Sequence, residues 1–401
     1  MGPGIAVAAT GVGAADLVAT SVAGSRYGNV LIWAVVVGAL LKYVLNEGVA
    51  RWQLATGTTV FEGWARHLGS VVRWYFLAYL VIWPIFVSGG VMVTCGLAAH
   101  TFFPQLSIPA WGIIHSIICF LVVLRGSYIT FERIIKVIIV VMFVSIIGAA
   151  IVAGIGWKAI VVPQMLPADD LRMVLSLIGG VGGSVTMLCY GYWIREKQWR
   201  GGDYLPLVRI DLATAYVLTG LFGGALMVLS THVLLSTGVE VAGSGALVQL
   251  GNLLTGVMGE TGRLVFLIGF WGVVLSSLLG VFQGVPYLFA DYVWNLRGAK
   301  PEERERMVGN KSLSYRVFLG YLAFPCMLML YIDNPIWIVI TYAAVSALFV
   351  PFFAATLLYM NSRVDWVGEK FRNGWVTNLV LVATLALFGY LGVVGFLARL
   401  S

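Results

Sequence analysis

The sequence predicts an all-α integral membrane protein with about eleven transmembrane helices, and two observations support this fold class. Sixty per cent of the 401 residues are hydrophobic and only 11% are charged, which lies far outside the range of soluble globular proteins. Apolar stretches of about 20 residues, the length that crosses a 30 Å hydrocarbon core, recur from one end of the chain to the other. We therefore expect a single transmembrane domain over residues 1–401.

The apolar stretches place the helices in order along the chain. The predicted spans are 3–23, 28–46, 74–99, 107–124, 134–156, 174–194, 210–236, 263–289, 315–332, 335–359 and 376–398. The first span lacks the basic region of a signal peptide, so we expect it to remain in the mature chain. The sequence contains no Walker A, GxSxG or HExxH motif, so we expect neither an ATP-driven pump nor an enzyme.

Basic residues are concentrated in alternate loops. Nineteen of the 25 Lys and Arg residues fall in the loops at 51–73, 125–136, 195–209, 297–316 and 363–372, while Lys42 lies inside a span. Because positively charged loops remain in the cytoplasm, we expect a multi-pass protein of the cell (inner) membrane, with a cytoplasmic N-terminus and an external C-terminus. These loops also account for the net charge of +7, so we expect a lipid bilayer as partner and no nucleic acid.

Two spans contain glycines and polar residues where a regular membrane helix would avoid them. Residues 4–20 read GIAVAATGVGAADLVAT, and residues 176–192 read SLIGGVGGSVTMLCYGY. The two spans are five helices apart, which is the arrangement of a transporter built from two inverted five-helix repeats. We expect both to unwind at mid-membrane and to form a substrate site with their free carbonyl groups. Alternatively, the glycines only permit close helix packing.

Four further motifs occur in a fixed order. They are LNEGVARWQLATGTTVFEGWARHLG (45–69), RGSYITFERIIKVI (125–138), FVPFFA (349–354) and VGEKFRNGWVTN (367–378). In order and spacing they resemble the motifs of the Nramp (natural resistance-associated macrophage protein) divalent-metal transporters over essentially the whole chain. The resemblance implies a LeuT-type fold, in which helices 1–5 and 6–10 form an inverted repeat followed by an extra helix. It also implies a metal site between helices one and six.

The expected site departs from the family pattern. The family has Asp-Pro-Gly-Asn in helix one, whereas this chain reads Gly-Ala-Ala-Asp over residues 13–16. The carboxylate has thus moved by three residues, almost one helical turn, and can still reach the same cavity. Helix six of the family reads Met-Pro-His, and here it reads Met-Leu-Cys over residues 187–189, which keeps the thioether and loses the histidine.

Asp16 is the strongest candidate ligand of a divalent metal substrate. No Lys or Arg of its own span can pair with it, and a buried carboxylate needs a cation or a helix end for compensation. The alternative is a structural cap on the broken helix. Met187 would be a soft ligand that favours Mn²⁺ over Mg²⁺, although packing explains it equally well. The other candidates are Gly13 through its carbonyl group, Asn46, Thr10, Ser184, Thr186 and Cys189.

The groups that couple transport to protons in the family are missing. Val87 and Gly90 stand where helix three of the family carries acids, and Ile194 replaces a histidine of helix six. Only Arg316 stands near the start of helix nine, where the family has paired arginines. The chain shares this loss with the Nramp-related magnesium transporters, which are uncoupled. We therefore expect transport without proton coupling.

Taken together, the sequence predicts a monomeric secondary transporter that moves divalent cations of the Mn²⁺ or Mg²⁺ class by alternating access and has no cofactor. Two alternatives stay open. The same fold could carry a changed, non-metal substrate such as a small organic solute, or the chain could be a sensor or accessory membrane protein that has lost transport. Metal inhibition without metal flux would indicate the first, and binding without turnover would indicate the second.

Overall fold

The computed structural model describes residues 2–152, 171–180, 182–235, 245–298, 301–332 and 335–400. Helices make up nearly all of these ranges, and they form eleven segments that correspond to the eleven predicted spans. Seven stretches of described helix are long and apolar enough to cross a bilayer by themselves, and shorter apolar helices follow at Leu348–Met360 and Trp375–Tyr390. The predicted all-α membrane fold class is confirmed.

The first half of the chain forms five segments. They are the helix pair α1 (Gly4–Gly11) and α2 (Ala14–Tyr27), then α3 (Ile32–Thr56), α5 (Gly69–Phe102), α6 (Ile108–Arg125) and α7 (Tyr128–Val152). The short helix α4 (Val60–His67) connects α3 to α5 and begins with a capping box, in which the Thr59 hydroxyl accepts the amide of Glu62 at 3.1 Å.

The second half forms six segments. They are the helix pair α8 (Leu171–Gly180) and α9 (Thr186–Glu196), then α10 (Leu205–Val233), α11 (Gly245–Arg297), α13 (Leu313–Ala323), α14 (Pro335–Met360) and α16 (Trp375–Leu400). The short helices α12 (Arg304–Val308) and α15 (Val364–Val367) lie in connections. Helix α11 bends at Gly259, where φ is 69°. The predicted span ends at 156 and 236 lie outside the described residues.

Helix α3 is longer than predicted. The sequence placed the end of the second span at residue 46, ahead of Glu47 and Arg51, but α3 continues to Thr56. The two charged side chains are one turn apart and pair at 3.1 Å, so they support the helix instead of ending it. The extension carries α3 out of the apolar region towards the basic loops.

Segments one and six are both interrupted, as their glycines predicted. Between α1 and α2, Val12 and Gly13 have extended backbone, with ψ of 96° and 180°. Between α8 and α9, Gly182 and Gly183 have φ values of 86° and 83°, in the left-handed region that favours glycine. Each break therefore releases backbone groups from the helical hydrogen-bond pattern.

The two breaks meet backbone against backbone. A Cβ atom added to Gly11 would lie 3.0 Å from the carbonyl carbon of Gly182, so only glycine permits this approach without a shift. Helix α3 packs against α8 and α9, α10 packs against α1 and α2, and α11 packs against α1 and α9. The crossing of the two broken segments therefore lies inside the helix bundle.

Candidate functional site

At the first break, serine hydroxyls of α11 bind the carbonyl groups that α1 can no longer use. The Ser276 hydroxyl lies within hydrogen-bond distance of the carbonyl of Ala9, at 2.9 Å, and of the carbonyl of Val273 in its own helix, at 2.8 Å. The Ser277 hydroxyl donates to the carbonyls of Val12 at 2.9 Å and Thr10 at 3.3 Å. Both serines are fully or almost fully buried, at 0% and 2% exposure. These hydrogen bonds satisfy backbone acceptors that would otherwise be buried without a donor.

Asp16 lies in the first turn of α2, at the break. Its Oδ2 accepts the amide of Gly13 at 2.7 Å, which caps the start of α2. Its Oδ1 has no hydrogen-bond partner among the described residues, although the atom is buried. This oxygen faces the second broken segment, because a Cβ atom added to Gly180 would lie 2.8 Å from it.

Lys42 of α3 supplies a positive charge to the second break. Its side chain is completely buried, and its ammonium group donates to the carbonyl of Gly179 at 3.3 Å and also to the carbonyl of Gly183. The sequence places this lysine inside a span, and no role is predicted for it there. A signal was available, since a lysine at mid-membrane without an acid in its own span requires a partner from elsewhere.

Asn46 lies one helical turn after Lys42 and is also fully buried. Its Nδ2 donates to the Tyr216 hydroxyl of α10 at 3.2 Å, whereas its Oδ1 has no partner among the described residues. The Tyr216 ring reaches the break as well, because a Cβ atom added to Gly182 would lie 2.8 Å from the ring carbon Cε1. Asn46 thus contacts a tyrosine that lies at the second break, and its role in binding stays a prediction.

The candidates of the sixth segment lie at the start of α9. The Ser184 hydroxyl accepts a hydrogen bond from the Trp83 indole at 3.2 Å, and its carbonyl accepts the amide of Met187 at 3.1 Å. The Thr186 hydroxyl lies against Gly183, whose added Cβ would be 2.5 Å from it. Met187 is buried, at 1% exposure.

Two candidates face α11. A Cβ atom added to Gly280 would lie 2.6 Å from Cγ2 of Thr10, and one added to Gly284 would lie 2.7 Å from Sγ of Cys189. Both side chains therefore pack onto small residues one turn apart on α11. The Thr10 hydroxyl oxygen has no hydrogen-bond partner among the described residues.

Gly13 lies at the start of α2, and its role as a ligand stays a prediction. Its carbonyl accepts the amide of Leu17 at 3.1 Å. The reason is that α2 starts immediately after Gly13, so this carbonyl belongs to the first turn of the helix. The freed carbonyl groups of the first segment are instead those of Ala9, Thr10 and Val12, which the α11 serines bind.

A second polar cluster lies away from the breaks, beside the basic loops. Asp291 of α11 is completely buried and accepts the hydroxyl protons of Thr59 and Tyr192, each at 2.6 Å. Arg304 of α12 bonds to Asp291 at 3.2 Å and also contacts the carboxylate of Glu62. Thr59, Glu62 and Arg304 belong to the basic loops at 51–73 and 297–316, and Tyr192 belongs to α9.

The site offers oxygen atoms and one cation to a ligand. Buried oxygens without a donor stand on Asp16 and Asn46, and the ammonium of Lys42 faces the same broken segment as Asp16. In the described ranges, no three His, Cys, Asp or Glu side chains lie close enough together to hold a metal ion. The described oxygens at the two breaks are the carboxylate of Asp16 together with amide, hydroxyl and carbonyl oxygens.

The family of the chain follows from a sequence profile. The profile described as natural resistance-associated macrophage protein-like matches residues 4–398. An uncharacterised protein of Pasteurella multocida (strain Pm70) is 21% identical over 411 residues, which cover 97% of this chain and 90% of that protein.

Solved structures show the same fold. A mutant of a manganese transporter from Eremococcus coleocola superimposes with a TM-score of 0.77 at 14% identity, over 98% of this chain and 85% of that chain. MhsT, crystallised in complex with L-phenylalanine, superimposes with a TM-score of 0.55 at 14% identity, over 96% of this chain and 98% of that chain. At these identities the comparison concerns the fold.

Proposed function

Because the chain belongs to the Nramp family, we propose that it is a secondary transporter that carries a divalent metal cation of the Mn²⁺ or Mg²⁺ class by alternating access. The likeness to the fold of a manganese transporter supports this cargo. The protein would act as a monomer in the cell membrane, with a cytoplasmic N-terminus and an external C-terminus. The metal ion is the cargo, and no resident cofactor is required.

This proposal depends on the environment of Asp16. The carboxylate is buried at the crossing of the two broken segments, and its Oδ1 has no donor among the described residues. An unpaired carboxylate oxygen is costly to bury, and a bound cation would remove that cost. The unpaired amide oxygen of Asn46 and the carbonyl groups of the second break offer the hard ligands that Mn²⁺ and Mg²⁺ accept.

The two breaks would also provide the movement. The broken segments touch at Gly11 and Gly182 and can move as one unit against α3, α10 and α11, which pack around them. In this architecture the moving unit exposes the site to each side of the membrane in turn. The unwound residues then serve both as ligands and as hinges.

We further propose that transport is not coupled to protons. Helix α5 corresponds to the segment with proton-accepting acids in the family, and in this chain it contains neither Asp nor Glu. Val87 and Gly90 occupy the corresponding positions and are buried. A proton path along this helix would therefore lack the carboxylates that accept protons in the family.

Flux into proteoliposomes tests this function. Wild type and Asp16→Asn would be offered Mn²⁺ and Mg²⁺ separately while the internal pH is recorded. Asparagine keeps the shape and one acceptor but removes the charge, so we expect flux of the transported ion to fall by about tenfold or more, equivalent to roughly 1.4 kcal/mol. Asp203→Asn is the control, because this exposed acid lies in the short connection between α9 and α10 and the variant should keep the wild-type flux.

The outcomes separate the parts of the proposal. Flux that depends on Asp16 and leaves the internal pH constant supports an uncoupled cation transporter. Flux accompanied by acidification or alkalinisation overturns the absence of proton coupling. If neither ion enters the liposomes, the metal cargo is wrong.

Lys42 favours a second candidate function. With Lys42 protonated and Asp16 ionised, the site carries no net charge, which suits a small organic solute with both donor and acceptor groups better than a divalent ion. The fold of MhsT, which was crystallised with L-phenylalanine, accommodates such a ligand. For this function, metal ions would inhibit uptake of the solute without crossing the membrane.

A further inference from the structure

Lys42 is the charged group of the site that the proposed function does not yet use. It lies in the middle of α3, with 0% exposure, at a depth where a charged side chain is expensive. None of the ion pairs found among the described residues joins Lys42 to a carboxylate. Its ammonium group must therefore find its hydrogen-bond acceptors among other groups.

Those groups are backbone carbonyls of the second break. The ammonium donates to the carbonyl of Gly179, in the last turn of α8, at 3.3 Å, and to that of Gly183 in the unwound stretch. Among the described residues neither oxygen has an intrahelical donor, because α8 is described to Gly180 and the chain turns at Gly182 and Gly183. Carbonyl oxygens presented in this way are ligands for hard cations.

The structure around the ammonium is shaped to receive it. The aliphatic stem of Lys42 crosses Gly182, where an added Cβ atom would lie 3.3 Å from both Cβ and Cγ of the lysine. Any side chain at position 182 would therefore crowd the stem, and the φ of 86° there is also strained for other residues. The glycine and the lysine together place a cation at the break.

Asp16 faces the same stretch from the other broken segment. Its unpaired Oδ1 lies against Gly180, which stands in the chain between Gly179 and Gly183, the two residues whose carbonyls bind Lys42. A cargo cation that binds Asp16 and the carbonyls of this stretch would come close to the ammonium of Lys42. Two like charges in a medium of low dielectric repel each other strongly, so both cannot occupy the stretch at once.

We propose that Lys42 is a tethered cation, which occupies the carbonyl oxygens of the second break while cargo is absent and competes with the cargo cation for them. This role rests on the proposed transport of a cation. When cargo binds, the ammonium withdraws from Gly179 and Gly183, and when cargo leaves, it returns and compensates the buried oxygens. The empty carrier thus keeps the carbonyl oxygens of Gly179 and Gly183 paired without a second transported ion.

Binding of Mn²⁺ and of Mg²⁺ to the purified full-length protein, measured by titration calorimetry, tests this role. In Lys42→Met the competitor is removed, and in Lys42→Gln an uncharged donor remains for the carbonyls. We expect both variants to bind the cargo ion about tenfold more tightly or better than wild type, because the ion no longer has to displace a competing charge. Lys311→Met removes an exposed lysine in a loop and should bind as wild type does.

Each outcome supports or overturns the tethered cation. Damage to the fold would weaken binding of the ion, so a gain of affinity in Lys42→Met or Lys42→Gln supports the tethered cation. If Lys42→Met does not fold, Lys42→Gln provides the test. Unchanged or weaker binding in folded Lys42 variants overturns it. If the Lys42 variants do not bind the ion more tightly but Asp16→Asn abolishes binding, the proposed cation transport still stands. Absence of Mn²⁺ and Mg²⁺ binding from wild type and from every variant overturns both proposals.

Discussion

At the scale of single residues, the backbone groups released by the two breaks are bound by side chains of neighbouring helices. Ser276 and Ser277 hold the first break, and Lys42 holds the second. Asp16 combines two roles, since one carboxylate oxygen caps α2 and the other is unpaired among the described residues. The same oxygens that stabilise the empty fold are those that a cargo would use, so binding competes with internal hydrogen bonds.

Ser277 provides a residue-scale prediction. Ser277→Ala removes the donor to the carbonyls of Thr10 and Val12, which stay buried. We expect the free energy of unfolding to fall by about 1–3 kcal/mol, the cost of leaving a buried acceptor unpaired. Unfolding of the protein in detergent micelles measures this change.

The control for Ser277 is an exposed hydroxyl. Among the described residues, Thr214 of α10 donates to the carbonyl of Ile210 in its own helix, at 2.9 Å, and its side chain is exposed. Thr214→Val should therefore leave the stability within about 0.5 kcal/mol of wild type, as is usual for exposed positions. Equal effects of the two substitutions would show that Ser277 does not hold the break.

Residue roles could be predicted from the sequence only in part. Asp16 stood out because an acid in an apolar span requires compensation, and the structure places it at the crossing of the breaks. Lys42 was missed because its partners are backbone carbonyls 137 and 141 residues away, which leave no mark on the sequence around it. Ser276 and Ser277 were missed for the same reason, since a hydroxyl usually binds its own helix. The roles predicted for Met187 and Cys189 stay predictions.

At the scale of helices, the breaks depend on close contact with α11. Thr10, at the end of α1, packs onto Gly280, and an added Cβ there would lie 2.6 Å and 2.7 Å from Cγ2 and Cβ of Thr10 and closer still to its hydroxyl oxygen. Gly280→Ala should therefore displace the end of α1 and lower transport by about tenfold or more, as a misplacement of about 1 Å can do in a functional site. Flux into proteoliposomes measures it.

Gly272, two turns earlier on α11, supplies the comparison. An added Cβ there would lie 3.4 Å from Cγ2 of Ile138, an ordinary van der Waals distance, and it would face α7 instead of the break. Gly272→Ala should keep most of the wild-type flux. Should both variants transport equally well, the contact between α1 and α11 does not set the geometry of the site.

Helix positions were predictable because a bilayer imposes length and apolarity on every segment. Both breaks were predictable because clustered glycines at matching positions of the two halves are typical of the paired unwound helices of transporters. The length of α3 was not predictable from the sequence, because it depends on side-chain contacts formed in the folded structure. Glu47 pairs with Arg51 and also contacts Arg209 of α10. Charged residues ended the predicted span, whereas in the structure they stabilise its continuation.

At the scale of the whole molecule, the basic loops predicted for the cytoplasm meet on one face. Arg195 contacts Glu62 at 3.8 Å, and Lys197 pairs with Glu132 at 2.6 Å. Arg200 reaches Glu305 at 3.4 Å, and Arg51 bonds to the carbonyls of Phe371 and Arg372 at 3.3 Å and 3.1 Å. Residues from all five loops thus contact one another. The chain must therefore cross the membrane an even number of times between any two of these loops.

The shared face leads to a prediction about orientation. Single cysteines at Gln105 and Glu302 report on opposite faces, because Gln105 is exposed between α5 and α6 and Glu302 is exposed in the basic loop before α12. The four native cysteines are buried, so they should contribute little background labelling by a membrane-impermeant maleimide. In intact cells we expect Gln105→Cys to be labelled and Glu302→Cys to be protected until the membrane is permeabilised, because basic loops stay in the cytoplasm. The reverse labelling pattern would place the N-terminus outside the cell and would invert the orientation of the carrier in the membrane.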